Sequence, residues 1–230
     1  MKKLGFLFLI LLCFQSIVFS QDATTLLNKV KAKINLVNDY TATGKMKTDI
    51  TFIKAPIGKV TVYFKKPNKF KLKKENGISI LPKGGVSINI GAIINVEDFD
   101  IIDSGEEIID NTITRKIILL PKNETNDVAL STMYIDAEKL LVKKVVTTTK
   151  ENGTYQILIS YGNYSQYGLP DKVVFGFNTK DYKMPKGITM EFDDEGKKEM
   201  REKMKNKKGK VEIMYNTYII NKGINDAIFN

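Results

Sequence analysis

The sequence predicts a mainly β protein of the α+β kind, an antiparallel run of hairpins with one amphipathic helix ahead of it. Three stretches carry that prediction. Leu140–Thr149 is rich in β-branched residues and stops at Glu151-Asn152-Gly153, and Asn-Gly is the pair that accepts positive φ at both centres of a tight hairpin turn. Thr154–Tyr161 then places Tyr155, Ile157, Ile159 and Tyr161 on one face and Gln156 and Ser160 on the other, the period-2 signature of a half-buried strand. Finally, Tyr40, Ala42, Gly44, Met46, Thr48, Ile50 and Phe52 alternate with polar residues through one long strand. A strand of that length must bend or twist, and Gly44 is the place for it.

From the start of the chain, Lys2 and Lys3 precede an apolar run from Leu4 to Phe19, with Ser20 ahead of Gln21. That is the pattern of a cleavable secretory signal peptide, 1–20, leaving a single domain from 21 to 230. Cys13, the one cysteine, falls within the leader, so the expected mature chain must stand on its core without disulfides. The formal charge is +10, from 36 basic and 26 acidic residues; without Lys2 and Lys3 it is 34 against 26, or +8. Arg115 and Arg201 are the only arginines, and the lysines are interspersed with acids, which speaks against a nucleic-acid partner. The basic excess suits solubility or an anionic membrane surface.

Ala23–Asn38 carries Ala23, Leu27, Val30, Ile34 and Val37 on one side, an amphipathic helix. After the long strand, Pro56 and Gly58 turn the chain into Lys59–Lys66, with Val60, Val62 and Phe64 sharing a face. Pro67-Asn68 turns it back into Lys69–Lys74, with Phe70 and Leu72 inward. Asn76-Gly77 marks another hairpin into Ile78 and Ile80. Pro82–Gly85 is turn chemistry without the spacing of a phosphate loop, and Val86, Ile88 and Ile90 form one more strand. Gly91–Asp110 is apolar but studded with Glu97, Asp98, Asp100 and Asp103, and reads as a short helix, a lid or a loop. Those acids lack the spacing of a calcium loop. Thr112–Leu120 is a strand, and Gly168-Leu169-Pro170-Asp171 turns into a strand opened by Val173, Phe175 and Phe177.

Beyond it, Met184–Gly187 is a loop and Ile188, Met190 and Phe192 a short strand. Asp194–Lys210 is dense in charge and reads as an exposed helix fraying toward Gly209. Val211, Ile213, Tyr215, Thr217 and Ile219 alternate through a final long strand. Lys203, Lys205, Lys207 and Lys208 are the candidates for docking on anionic headgroups or a membrane partner; a plainly solvated face is the competing reading.

The chain has no histidine, so Ser-His and Cys-His nucleophilic systems and most zinc sites have no ligands to draw on. The carboxylate pair Asp193-Asp194 is the one candidate for glycoside chemistry, and neighbours in a strand point to opposite faces. The expectation is a protein without catalysis or cofactor.

The segment Gly58–Leu72, GKVTVYFKKPNKFKL, resembles the LolA group of periplasmic lipoprotein carriers and outer-membrane lipoprotein-sorting proteins. A strand there leads through the turn Lys66-Pro67-Asn68-Lys69-Phe70-Lys71. Leu119-Leu120-Pro121-Lys122, then Tyr134-Ile135-Asp136 through Leu140-Leu141, then Gly153 and the strand to Asn163 resemble its further landmarks, in order. Lysine stands where the group has arginine around the proline. The resemblance implies a strongly curved antiparallel sheet forming an incomplete β-barrel, with helices capping the concave face. It implies a periplasmic protein whose partners are the acyl chains of lipoproteins, released at the inner membrane and accepted at the outer. The inward residues of the hairpins, Met46, Ile50, Phe52, Val62, Phe64, Phe70, Leu72, Ile157, Ile159 and Phe175, are then the expected lipid-binding face. A non-transporting lipid-sensing regulator or envelope interaction module on the same scaffold is the alternative.

Overall fold

The structure, a computed structural model, describes residues 22–50, 53–54, 57–75, 96–151, 153–182 and 208–229. Helix α1 (Ala23–Ile34) is followed by β1 (Asp39–Ile50), the short β2 (Ile53–Lys54), β3 (Gly58–Lys65) and β4 (Lys69–Lys74). Then come β5 (Phe99–Ile109), β6 (Thr112–Pro121), β7 (Val128–Asp136), β8 (Leu141–Thr149), β9 (Gly153–Ser160), β10 (Lys172–Tyr182) and β11 (Lys208–Ile220). All pair antiparallel in one curved, unclosed sheet, in the order β4-β3-β1-β11-β10-β9-β8-β7-β6-β5, with β2 on the end of β1.

The hairpins read at Pro67-Asn68 and ahead of Gly153 join β3 to β4 and β8 to β9. Gly153 takes φ 83° at the β8–β9 turn, where positive φ costs glycine nothing. The helix is shorter than its apolar pattern: Asp22 caps its start by accepting from the Thr25 N–H at 3.2 Å, and the chain leaves the helix at Asn35. Val37 nevertheless stays buried beyond its end. Leu26, absent from the sequence pattern, is 1% exposed.

Three readings are corrected. The span Gly91–Asp110 contains neither lid nor loop over its second half: a 3₁₀ turn at Val96–Asp98 leads directly into β5, eleven residues long. Its alternation was hidden because β5 is an edge of the described sheet and most of its side chains meet solvent, so acids sit on both faces. Asp110 and Asn111, at φ 47° and 58°, make its hairpin with β6, a pair of residues that tolerate the left-handed region. The landmark Tyr134-Ile135-Asp136 is the end of a strand not otherwise read, β7. Lys208, Gly209 and Lys210 belong to β11 and pair with Asn178, Phe177 and Gly176; they are not helical. The hairpin at Asn76-Gly77, the strands around Ile78, Ile80, Val86, Ile88 and Ile90, the loop and strand at 184–192, Asp193-Asp194 and the rest of the charged run lie outside the described residues.

Gly44 does mark the irregularity of β1. The β1–β11 register shifts there: Thr43 faces Thr217 but Gly44 faces Tyr215, so Asn216 is an extra residue bulged from β11. A Cβ on residue 44 would collide with the Met214 carbonyl oxygen. The bulge also switches the phase of β11. Val211, Ile213 and Tyr215 face the core, but beyond Asn216 it is Tyr218 that is buried, while Thr217 and Ile219 are exposed. Gly44→Ala is therefore expected to lower stability by about 1–3 kcal/mol, read as a lower urea midpoint with unchanged slope; a midpoint within error of the wild type would show that the close approach at Met214 relaxes freely.

Candidate functional site

The core sits on the concave face, under α1. Ala23, Leu26, Leu27 and Val30 of the helix join one continuous apolar cluster with the inward residues of β1, β3 and β5–β11. Of the sequence-predicted lipid-binding residues, Met46 and Val62 are fully buried, and Phe64, Ile157, Ile159 and Phe175 are buried in the same cluster. Phe70 and Leu72 pack against it from β4. Ile50 takes its place at the end of β1, paired with Gly209 and Ile53; Phe52 lies outside the described residues. The structure thus brings eight of the ten onto one surface, closed by α1.

The helix is tied by polar contacts at its C-terminal end. Lys33 Nζ donates to the Lys139 carbonyl at 2.6 Å, reaching the β7–β8 turn, and Lys66 Nζ donates to the Asn35 carbonyl at 2.6 Å from the β3–β4 turn. The chain leaving α1 is held again by Asn221 at the end of β11. Its side chain accepts from the Asn38 N–H at 2.7 Å and donates to the Leu36 carbonyl at 2.9 Å. Toward Ala23 the helix rests on buried apolar side chains.

One end of the concave face is aromatic, a feature the sequence reading passed over. Tyr218 lies with its ring centroid 5.4 Å from Tyr40, 5.3 Å from Tyr215 and 4.9 Å from Tyr164, and Tyr40 packs 5.3 Å from Phe64. Tyr218 Oη donates to the Pro170 carbonyl at 2.7 Å and Tyr161 Oη to the Val142 carbonyl at 2.9 Å. Tyr215 Oη and Thr48 Oγ1 are buried with no hydrogen-bond partner among the described residues. Burial pushes the phenols of Tyr40, Tyr161, Tyr215 and Tyr218 above their ordinary value of 10.0. The signal available in the sequence was the placement of tyrosines at inward positions, where phenylalanine would serve a purely apolar core.

The rim at β5–β6 is charged instead. Arg115, opposite the buried Ile135, holds Asp103 through Nη2 at 2.6 Å and Nε at 2.8 Å, with Glu106 at 3.8 Å. Burial pushes the Asp103 carboxyl up, but the Arg115 hydrogen bond, the Gly105 N–H and the Arg115 charge outweigh it and hold the group below the usual carboxylate range. Among the described residues no group of three or more acidic side chains converges as a metal site. A depression of about 380 Å³ opens on the other face of the sheet, lined by Val146, Gln156, Leu158, Val174, Gly176 and Lys210 among others. It touches none of the predicted lipid-binding residues, though Tyr155 and Phe177, which join the core cluster, are among its lining.

No family model matches the chain, and no curated protein matches it in sequence. Solved structures do match its fold. A DUF1329 family protein from Desulfovibrio piger superposes with a TM-score of 0.56 at 12% identity, covering 90% of this chain and 95% of that one. A LolA superfamily protein from Nitrosomonas europaea gives 0.51 at 10%, covering 89% and 97%. A putative outer membrane lipoprotein-sorting protein domain from Vibrio parahaemolyticus gives 0.50 at 8%, covering 90% and 95%. The chain has a LolA-like fold. At these identities the likeness is one of fold, and it runs nearly the full length of each partner. Within the LolA-like sheet, the turn Lys66–Phe70 that carried the sequence resemblance is the β3–β4 hairpin, and its lysine anchors the end of α1.

The buried phenols set an alkaline limit on the fold. A phenol raised above its unfolded value contributes stability that is fully present below that value and is lost as the pH climbs past it. Stability is expected to hold up to about pH 10 and to fall above it. Tyr40, Tyr161, Tyr215 and Tyr218 should ionise only as the chain unfolds, read by following tyrosinate absorbance beside circular dichroism. Complete tyrosine ionisation in a folded chain would show that these hydroxyls reach solvent.

Proposed function

We propose that the protein is a periplasmic carrier, secreted by cleavage near Ser20/Gln21, that shields the acyl chains of lipoproteins on the concave face of its sheet on the way to the outer membrane. The observation that carries this reading is the construction of that face: a sheet left open among the described residues, predominantly apolar on its inner surface, covered by an amphipathic helix whose polar anchors sit at one end. The likeness in fold to a putative lipoprotein-sorting domain supports the reading.

The energetics favour exchange. A lipid anchor crosses water only when wrapped, because each exposed methylene costs about 0.8 kcal/mol. Lifting α1 exposes Leu26, Leu27 and Val30, worth about 1.5–3 kcal/mol each. An acyl chain laid in their place, burying about ten methylenes at about 0.8 kcal/mol each, returns a comparable amount. Near-balance of that kind lets a carrier load and release, whereas a large surplus either way would leave it empty or stuck. The ties of Lys33 and Asn35 make the C-terminal end of α1 the pivot.

Purified protein should draw a fluorescent diacylated lipopeptide out of vesicles into a soluble complex and deliver it to acceptor vesicles. Uptake without hand-over supports the lipid-sensing alternative, and lipopeptide that stays in the donor vesicles overturns both. Phe64→Glu puts a carboxylate on the acyl path, beside Tyr40, where neither an unpaired buried charge nor a wet cavity suits an acyl chain. It is expected to abolish uptake while circular dichroism remains that of the wild type. A variant that unfolds, with a wild type that takes up no lipid, would make this face ordinary core.

Docking is the second part of the proposal. Lys203, Lys205 and Lys207 precede β11 in sequence and Lys208 opens it, and we infer that they meet anionic headgroups or membrane partners at loading and delivery. Reversing all four to Glu should weaken binding to anionic vesicles by about tenfold or more at low salt, with the effect fading as salt rises. Binding unchanged at low salt would leave the run a solvated face.

A further inference from the structure

Two buried hydroxyls on the inner face of the sheet, Tyr215 Oη and Thr48 Oγ1, lack a hydrogen-bond partner among the described residues, and Tyr215 is the one at its aromatic end. Tyr215 is 9% exposed, and its hydroxyl has no hydrogen-bond partner among the described residues. Buried hydroxyls are nearly always paired, since an unpaired one forfeits its bonds to water without return. Phenylalanine at this position would keep the ring contacts and avoid the loss, so packing does not account for the oxygen.

The bulge at Asn216 is the second observation. Without it, alternation along β11 would place Tyr215 and Tyr218 on opposite faces, because they are an odd number of residues apart. The extra residue turns both rings inward, with centroids 5.3 Å apart. Bulges recur where a strand re-aims a side chain beside a functional site. Their roles differ: Tyr218 spends its proton on the Pro170 carbonyl, while Tyr215 keeps its own unspent. A donor held at a fixed place on an apolar surface gives an amphiphile an orientation as well as a site.

We propose that Tyr215 donates its hydroxyl proton to the carbonyl oxygen of a bound acyl ester or amide, anchoring the polar end of the lipid at the aromatic end of the concave face while the chain runs over Met46 and Val62. This subsite rests on the carrier reading and deepens it by naming the chemical class of ligand and the atom that meets it. The hydrogen bond restores to Tyr215 what folding took from it, so the bound state gains a contact that the free protein lacks. Desolvation keeps this phenol protonated well past neutral pH, as a donor requires.

The test compares methyl laurate with pentadecane, an alkane of matching heavy-atom count, as competitors for a fluorescent apolar dye. The affinity of the ester relative to the alkane should be about three- to tenfold higher on wild-type protein than on Tyr215→Phe. Tyr215→Phe should weaken ester binding and leave alkane binding unchanged, with its melting temperature in the absence of lipid unchanged or raised. Carbonyl-labelled methyl laurate should show an infrared band shifted down on wild-type protein and returned in the variant. Thr48→Val removes the other buried hydroxyl without a partner among the described residues, four positions along β1 from the residue facing Tyr215, and should keep the wild-type ester-to-alkane ratio. A Tyr215→Phe variant that keeps the wild-type ester-to-alkane ratio, or a Thr48→Val variant that lowers it equally, overturns the assignment. Either of those outcomes, with lipid still bound, leaves the carrier reading standing. Wild-type protein that binds neither overturns the carrier reading itself, and the subsite with it.

Discussion

The pairing of β1 with β11 joins what would otherwise be two sheets. On one side of that seam lie β3 and β4; on the other, β10 back through β5. Every other neighbouring pair along the sheet except β1–β3 follows directly in the described order of the chain, so local hairpins could form each half, but only the seam makes one surface of them. Two devices hold it. Gly44 lets β1 approach Met214 closely enough for the bulge, and Asn221, at φ 55°, closes the far end by bonding to the chain between α1 and β1. Asp39 adds its carboxylate to the Lys222 and Gly223 N–H groups at 3.1 and 3.0 Å. Because the seam runs beside the residues that leave α1, the same contacts that unify the sheet also fix the base of the helix.

The unclosed sheet then imposes its own demand. A strand alternates its side chains, so apolar residues that face inward along ten strands create a single large surface that water cannot be allowed to wet. α1 covers it with a narrow stripe of four buried residues. The tail completes the other end: Lys65 and Lys69 both hold Asp226, at 2.7 and 2.8 Å, clasping the β3–β4 hairpin and drawing the Asp226 carboxyl down to about 2. Strands clasped at their ends, with a cover that rests on apolar contact over much of its length, divide the molecule into a frame and a cover.

Within that frame the polar atoms are few and deliberately placed. The Arg115–Asp103–Glu106 cluster marks the β5–β6 rim, where charge is partly solvated, and the tyrosines mark the other side of the face, where it would not be. Two of the phenols turn their protons onto backbone carbonyls and become part of the wall. A phenol that does not is a statement about what the wall is built to meet, and in a cradle of this shape the natural complement is the carbonyl that joins an acyl chain to its head.

What the sequence determined by itself was everything governed by neighbours along the chain. Asn-Gly and Pro-Asn turns specify their reversals because φ is limited locally, and alternation picks out Ile157, Ile159, Phe175, Val62 and Phe64 as inward because each strand has only two faces. The apolar stripe of α1 was legible for the same reason, apart from Leu26 at its margin. The acidic strand β5 escaped notice because at a sheet edge solvent accepts charge on either face, so the pattern that reports a strand is erased. Only the tertiary structure decided which strands meet across the chain, and hence that β1 lies against β11. That pairing in turn places Gly44 against Met214, forces out Asn216, and carries Tyr218 onto the same face as Tyr215. The strict alternation of Val211, Ile213, Tyr215, Thr217 and Ile219 gives the wrong inward residue past the bulge, because a bulge is set by the partner strand and leaves no mark in a residue's own neighbourhood.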